Sequence, residues 1–336
     1  MLLKRFFTVL QFLLFLGLGL FLVWWMARGI TDDGWKQISN SLEHARYFLM
    51  IPVFILLLLS HYLRALRWKI LMEPLGYSPS TFNVFNAVMI GYMANLAFPR
   101  LGEVLKCTVL ARYEKAAPDK LIGTIVAERA VDVVCLLLVF FITIIVQIDK
   151  VGSFALGLLQ QILRGADQQF SWLRLIIFVA AVLFFAALIK WLFQRFGDNT
   201  IIKKIKNIFK GVWSGLMTIR YIKQKTNFIL YSIFIWVLYL TSTRIGFYAL
   251  QEVSHLGIKE ALSVLSFGSV GMIVTQGGIG AYQYAVQETL LLYDITPIMG
   301  FIFGWIIWIA QTVVLLAGGL FSMIVLSVYN RKKAAT

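Results

Sequence analysis

Residues 121–148, LIGTIVAERAVDVVCLLLVFFITIIVQI, decide how this chain folds. Roughly 20 mostly apolar residues are enough to cross about 30 Å of bilayer hydrocarbon, and this run exceeds that. Its first turns nevertheless carry Glu128, Arg129 and Asp132. A single ionisable group at the centre of a lone span costs roughly 2.5–3.5 kcal/mol, somewhat less near an end. Such a helix is expected to turn its charges toward neighbouring helices and its apolar back toward lipid. Arg129 and Asp132 lie three residues apart and can pair on one face. Arg129 is therefore expected to be held by Asp132, or by Glu128 through water. The cluster reads in two ways: an internal lock between helices, or a polar site that needs its charge.

The rest of the chain agrees with a membrane setting. It is 60% hydrophobic and 14% charged, with a mean hydropathy of +0.81. Soluble domains keep roughly 25% charged residues, so lipid has to serve as solvent for much of this surface. Further strong spans are expected at 6–27, 48–66, 171–193, 227–250 and 297–329. The first, after Lys4 and Arg5, is too long for a signal-peptide core of roughly 7–15 residues and is expected to remain as a span. The longest stretch without a membrane-length apolar run is Gln194 to Thr226, too short for the roughly 50 residues a separate catalytic domain needs. Residues 1–336 are thus expected to form one integral membrane domain. Cys107, in a basic loop, and Cys135 imply packing rather than disulfides, and His44, His61 and His255 lack metal-ligand spacing. No metal or cofactor is expected.

Two apolar regions are interrupted: 81–113 at Asn95, Pro99, Gly102 and Glu103, and 261–293 at Gln276, Gly277, Gly278 and Gly280. If each enters and leaves on one side, the amino terminus, 64–120, 190–226 and the tail hold 22 of the 31 Lys and Arg. That bias predicts a multi-pass protein of the cell membrane with both termini cytoplasmic. A full crossing by 81–98 would instead put the basic stretch Arg100 to Lys120 outside. Broken helices survive at membrane depth only where protein or water lines them. The expected fold is an all-α polytopic transmembrane bundle with two re-entrant or broken segments. Its half-repeats, about 48–148 and about 227–329, stand in the inverted relation used by transporters. The basic amphipathic segment 194–226, with Lys203, Lys204, Lys206 and Lys210 beside an apolar stripe, suits an anionic inner leaflet.

Span 48–66 ends in His61, Arg64, Arg67, Trp68 and Lys69. Arg64 and Trp68 share a face with His61 and form a cationic, aromatic lip, while Arg67 and Lys69 are expected to snorkel. In Gly91-Tyr92-x-x-Asn95-x-x-x-Pro99-Arg100-x-Gly102-Glu103, Pro99 and Gly102 open the backbone. Glu103 is placed to cap the next helix, and Arg100 to meet an anion. The glycines at 277, 278 and 280 free amides that suit an acceptor-rich group such as phosphate, and they equally permit close helix packing.

Taken in order, Arg64-x-x-Arg67-Trp68, the Gly91 to Glu103 motif, Glu128-Arg129-x-x-Asp132 and Gly277-Gly278-Ile279-Gly280 resemble the lysylphosphatidylglycerol synthase transmembrane-region family, also called flippase-like membrane proteins. The resemblance covers nearly the whole chain. It implies a membrane part that moves aminoacylated phosphatidylglycerol between leaflets, beside a cytosolic domain that attaches the amino acid from charged tRNA. This sequence has no stretch for that domain, so it is not expected to make the lipid. Gln276 and Gln283 stand where the family commonly has proline and glutamate.

The leading expectation is a flippase or scramblase for a phospholipid or lipid-linked headgroup. No nucleotide-binding loop accompanies it, and nucleic acid is not an expected partner. An intramembrane headgroup-modifying enzyme using Glu128 or Asp132 as base is one alternative; a non-transporting accessory subunit is another. Homo-oligomer formation is left open. Arg64, Asn95, Arg100, Glu103, Glu128, Arg129 and Asp132 are expected to line one inward-opening polar cavity, because polar groups sharing water cost less than groups dispersed in lipid.

Overall fold

A computed structural model describes residues 2–98, 101–148, 217 and 219–335, in which every regular element is helical. The expected span 171–193, most of segment 194–226, Pro99 and Arg100 lie outside the described residues.

The helices are α1 (Leu2–Arg28), α2 (Asp32–Glu43), α3 (Met50–Met72), α4 (Thr81–Ala97), α5 (Leu101–Glu114) and α6 (Pro118–Val146). After the undescribed stretch come α7 (Lys225–Phe247), α8 (Ile258–Val274), α9 (Ala281–Leu291) and α10 (Pro297–Ala335). Local chemistry sets several boundaries. Thr31 caps α2 by accepting from the Gly34 amide at 3.2 Å, and Asp32 and Asp33 complement the positive end of that helix. Pro118 opens α6 at a position where a missing N–H costs nothing.

Four described helical segments are long and apolar enough to cross a membrane: Tyr47–Leu75, Pro118–Val146, Lys225–Phe247 and Pro297–Arg331. A fifth candidate joins α1 to α2 through a bend of 106°. The back of α6 carries Leu137, Phe141 and Ile145, each more than half exposed. Apolar surface of that extent needs lipid around it.

The two interrupted regions fold as helical hairpins. In the first, α5 returns along α4: the Asn83 amide and the Ser80 N–H donate to Glu114 at the open end, and Gly91 meets Gly102 near the tip. A Cβ on Gly102 would lie 1.8 Å from the Gly91 carbonyl oxygen, so only glycine permits this approach. In the second, α9 returns along α8, with Ser263 bonded to Tyr293 at 2.8 Å at its open end.

Two apolar cores flank the long α3–α7 pair. One, around Trp68, Leu71, Val88, Leu110 and Leu121, encloses the first hairpin. The other, around Val264, Val286, Leu290, Phe303 and Ile307, encloses the second. α10 packs on α4, and α6 packs on α8, so each hairpin is braced by the last long helix of the other half.

Candidate functional site

The hairpin tips meet. The last turn of α4 leaves carbonyls without intrahelical partners, and the buried Gln276 side chain serves two of them. Its Nε2 donates to the carbonyl oxygens of Asn95 at 2.9 Å and Leu96 at 3.0 Å. Asn95 in turn accepts from the Gly102 amide at 2.9 Å, which caps the start of α5. On the other tip, Gly277, Gly278 and Gly280 hold φ of 61°, 76° and 76°, values that a side chain disfavours. Trp308 Nε1 donates to the Gly277 carbonyl at 2.8 Å, and Gln283 accepts from the Gly280 amide at 2.8 Å. These residues form the joint between hairpins and carry no charge.

Charge collects instead where α3, α5 and α6 converge. Asp132 receives Arg64 Nη1 at 2.8 Å and Arg67 Nη2 at 2.5 Å. Glu128 receives Lys106 Nζ at 2.6 Å, with Arg67 Nη2 at 3.8 Å. The Lys106 ammonium also sits over the Trp68 ring, 4.5 Å from its centroid, while Trp68 donates to Thr124 at 2.8 Å. Arg64 Nε donates to Tyr239 at 3.0 Å, and its guanidinium lies near the Tyr92 ring, which packs at a tilt against His61. Arg129 Nε donates to Glu103 at 2.9 Å.

Several expectations change here. Arg129 is held by Glu103, not by Asp132 or Glu128, because Asp132 already serves two arginines of α3 and Glu128 serves Lys106. Arg67 does not snorkel: it is fully buried, since α3 continues past residue 66 and carries it between α6 and α7. Cys107 lies in α5 rather than in a loop and is fully buried. Lys106 escaped notice, although it stands four residues from Gly102 and four from Leu110 on the buried face of α5. That spacing was the available signal.

A cavity of about 510 Å³ lies between the halves, bounded by α3, α6, α7, α8, α9 and α10. Arg64, Arg129 and Asp132 line it; Glu128 is buried behind them, and Asn95 and Glu103 are not among its lining residues. Trp68 is likewise buried away from it, and the residues from Gln276 to Gly280 stay at the joint. Sequence reading missed the contribution of the second half: Trp236, Tyr239, Ser242, Thr243, Ser269 and Gln311 complete the wall. Scattered single polar residues in apolar helices gave no pattern to find. Behind the wall, His61 Nδ1 is buried with no hydrogen-bond partner among the described residues. Val133 and Ile273, both exposed, give the rim an apolar edge.

This is a polytopic α-helical membrane protein with two broken hairpins and a charged cavity between its halves. The chain belongs to the family described as the lysylphosphatidylglycerol synthase TM region, which it matches over residues 9–319. It is also 29% identical over 102 residues to a UPF0104 membrane protein of Methanocaldococcus jannaschii, a match covering 30% of either chain. No solved structure matches it.

Proposed function

We propose that the protein moves a phospholipid or lipid-linked headgroup across the cell membrane through the cavity between its halves. The observation that carries this reading is the charge balance of the cavity and the ion-pair network behind it. Four cations, Arg64, Arg67, Lys106 and Arg129, face three carboxylates, Glu103, Glu128 and Asp132. The surplus positive charge favours an anion. Arg129 uses only Nε on Glu103, so its two terminal amino groups have no partner among the described residues and suit a phosphodiester. The apolar rim suits acyl chains that stay in lipid while the headgroup enters.

The opposed hairpins support alternating access by an inverted repeat, with the tip joint as the pivot. In the orientation that charge favours, both termini face the cytoplasm. Every carboxylate of the network is held by a cation, which favours carrying a headgroup over general-base chemistry on it.

Reconstitution in vesicles with labelled phospholipid tests the proposal. Wild-type protein is expected to speed leaflet exchange, and Arg129→Lys to reduce it about tenfold, because lysine keeps the charge and loses the planar fork. Unchanged exchange in Arg129→Lys and in Arg100→Lys would end the case for bidentate phosphate recognition. Cysteines at Ser39 and Ser153 are expected to label from outside and one at Ser214 is not; the reverse would overturn the orientation.

A further inference from the structure

We propose that the cavity selects an anionic phosphate ester of an uncharged polyol and disfavours cationic, aminoacylated headgroups. The inference rests on the translocation reading above and narrows its substrate.

The two halves of the chain give the wall different chemistry. The first half presents the guanidinium groups of Arg64 and Arg129. An oxyanion satisfies such a group of donors.

The second half contributes only neutral groups to the wall. Ser242 and Thr243 donate their hydroxyl protons to the Tyr239 carbonyl, and Ser269 donates to Leu265. Their oxygen lone pairs are therefore left to accept, which suits the hydroxyl protons of a polyol. Gln311 adds an amide to the same wall.

What the wall lacks is a spare carboxylate. Among the described lining residues Asp132 alone is acidic, and both its oxygens are taken, one by Arg64 and one by Arg67. A lysyl ester brings two ammonium groups into a cavity that already has excess positive charge and offers them no free counter-ion. A unit charge about 8–10 Å from another at an effective dielectric near 20 changes occupancy on the order of tenfold or more. A phosphoglycerol headgroup instead gains from the same field.

Two measurements on the full chain test this together. In phosphatidylcholine vesicles, leaflet exchange of acyl-labelled phosphatidylglycerol is compared with that of acyl-labelled lysyl-phosphatidylglycerol. In detergent, short-chain forms of both lipids, and free glycerol 3-phosphate, are compared for binding by native mass spectrometry. Phosphatidylglycerol is expected to win by on the order of tenfold in both. Equal or better handling of the lysyl lipid overturns the headgroup inference and leaves translocation standing. Selective binding of phosphatidylglycerol without exchange of any lipid does the opposite. Binding of glycerol 3-phosphate but not of the lipid supports the same chemistry and assigns it to the soluble ester. No selectivity in either measurement overturns the inference. The near-isosteric Gln311→Glu supplies the missing carboxylate and is expected to shift preference toward the lysyl lipid about tenfold. An unshifted preference in that variant would show that the wall is not the selector.

Discussion

The two halves of the chain run through the same helices with opposite chemistry. α3 and α7 each have 23 residues, and α4 and α8 each have 17. Each half then breaks, folds back and ends in a long helix. Yet Arg64, Arg67, Glu103, Lys106, Glu128, Arg129 and Asp132 all belong to the first half. The second half answers with Tyr239, Ser232, Gln276 and Trp308, none of them charged. The difference teaches that a broken hairpin needs no charge to hold its shape. Backbone groups freed at the first tip are met by Asn95 and by Gln276 from across the joint, and the second tip relies on glycine. Charge in the first half is therefore more than the hairpin requires, which is why it is read as the site.

The largest effect is expected from unbalancing that charged half. Asp132→Ala leaves Arg64 and Arg67 buried without their shared carboxylate, a loss of about 3–5 kcal/mol. Tyr239→Phe, which removes a neutral partner of Arg64 from the other half, is expected to cost about 1 kcal/mol. Unfolding of the purified protein in mixed micelles measures both. Equal losses would erase the distinction between the halves.

Close approach at the tips comes next. Gly102→Ala sets a methyl group against the Gly91 carbonyl, and Gly280→Ala sets one 2.1 Å from the Gly19 carbonyl while straining a φ of 76°. Each is expected to cost about 1–3 kcal/mol, with Gly280→Ala also loosening α1. Protease susceptibility of the α1–α2 bend separates the two variants.

Smaller again is the tie between tips. Gln276→Leu abandons two part-buried carbonyls and is expected to cost about 1 kcal/mol. If exchange speeds up while stability falls, the tie is a brake on the pivot; if exchange stops, it is part of the path.

The sequence disclosed the scaffold better than the site. Long apolar runs and their breaks were legible because hydrocarbon thickness and backbone hydrogen bonding leave few options. The helices break between Ala97 and Leu101 and between Val274 and Ala281, close to the expected breakers, although Asn95, Gly102 and Glu103 themselves lie inside α4 and α5. Pairing was not legible. Glu128, Arg129 and Asp132 adjoin in sequence, yet each takes its partner from another helix: Lys106, Glu103 and Arg64 with Arg67. Residues three or four apart on one helix can meet, but a partner on a neighbouring helix allows shorter, better aligned contacts. Only the crossing of α3, α5 and α6 decides which one wins.

The smallest expected effect concerns how the halves are stitched together on the α6–α8 side. Here Thr143 and Ser266 share a buried hydrogen bond of 2.7 Å, and Phe140 meets Phe267 edge-on with ring centroids 5.3 Å apart. Thr143 also donates to the Val139 carbonyl at 2.8 Å, so its single proton is spent within α6 and Ser266 has to be the donor across the gap. Thr143→Val then removes an acceptor and leaves Ser266 an idle buried proton, whereas Ser266→Ala removes only a donor to a hydroxyl that stays bonded in its own helix. The first substitution should cost more than the second. Hydrogen bonds between membrane helices average about 0.6 kcal/mol by double-mutant cycle, because the unfolded chain in lipid also finds partners. The coupling between Thr143→Val and Ser266→Ala is expected near that value. A coupling of several kcal/mol would mean that a neutral contact binds the halves as firmly as the charged network binds the first half internally, and the division of labour drawn between them would fail.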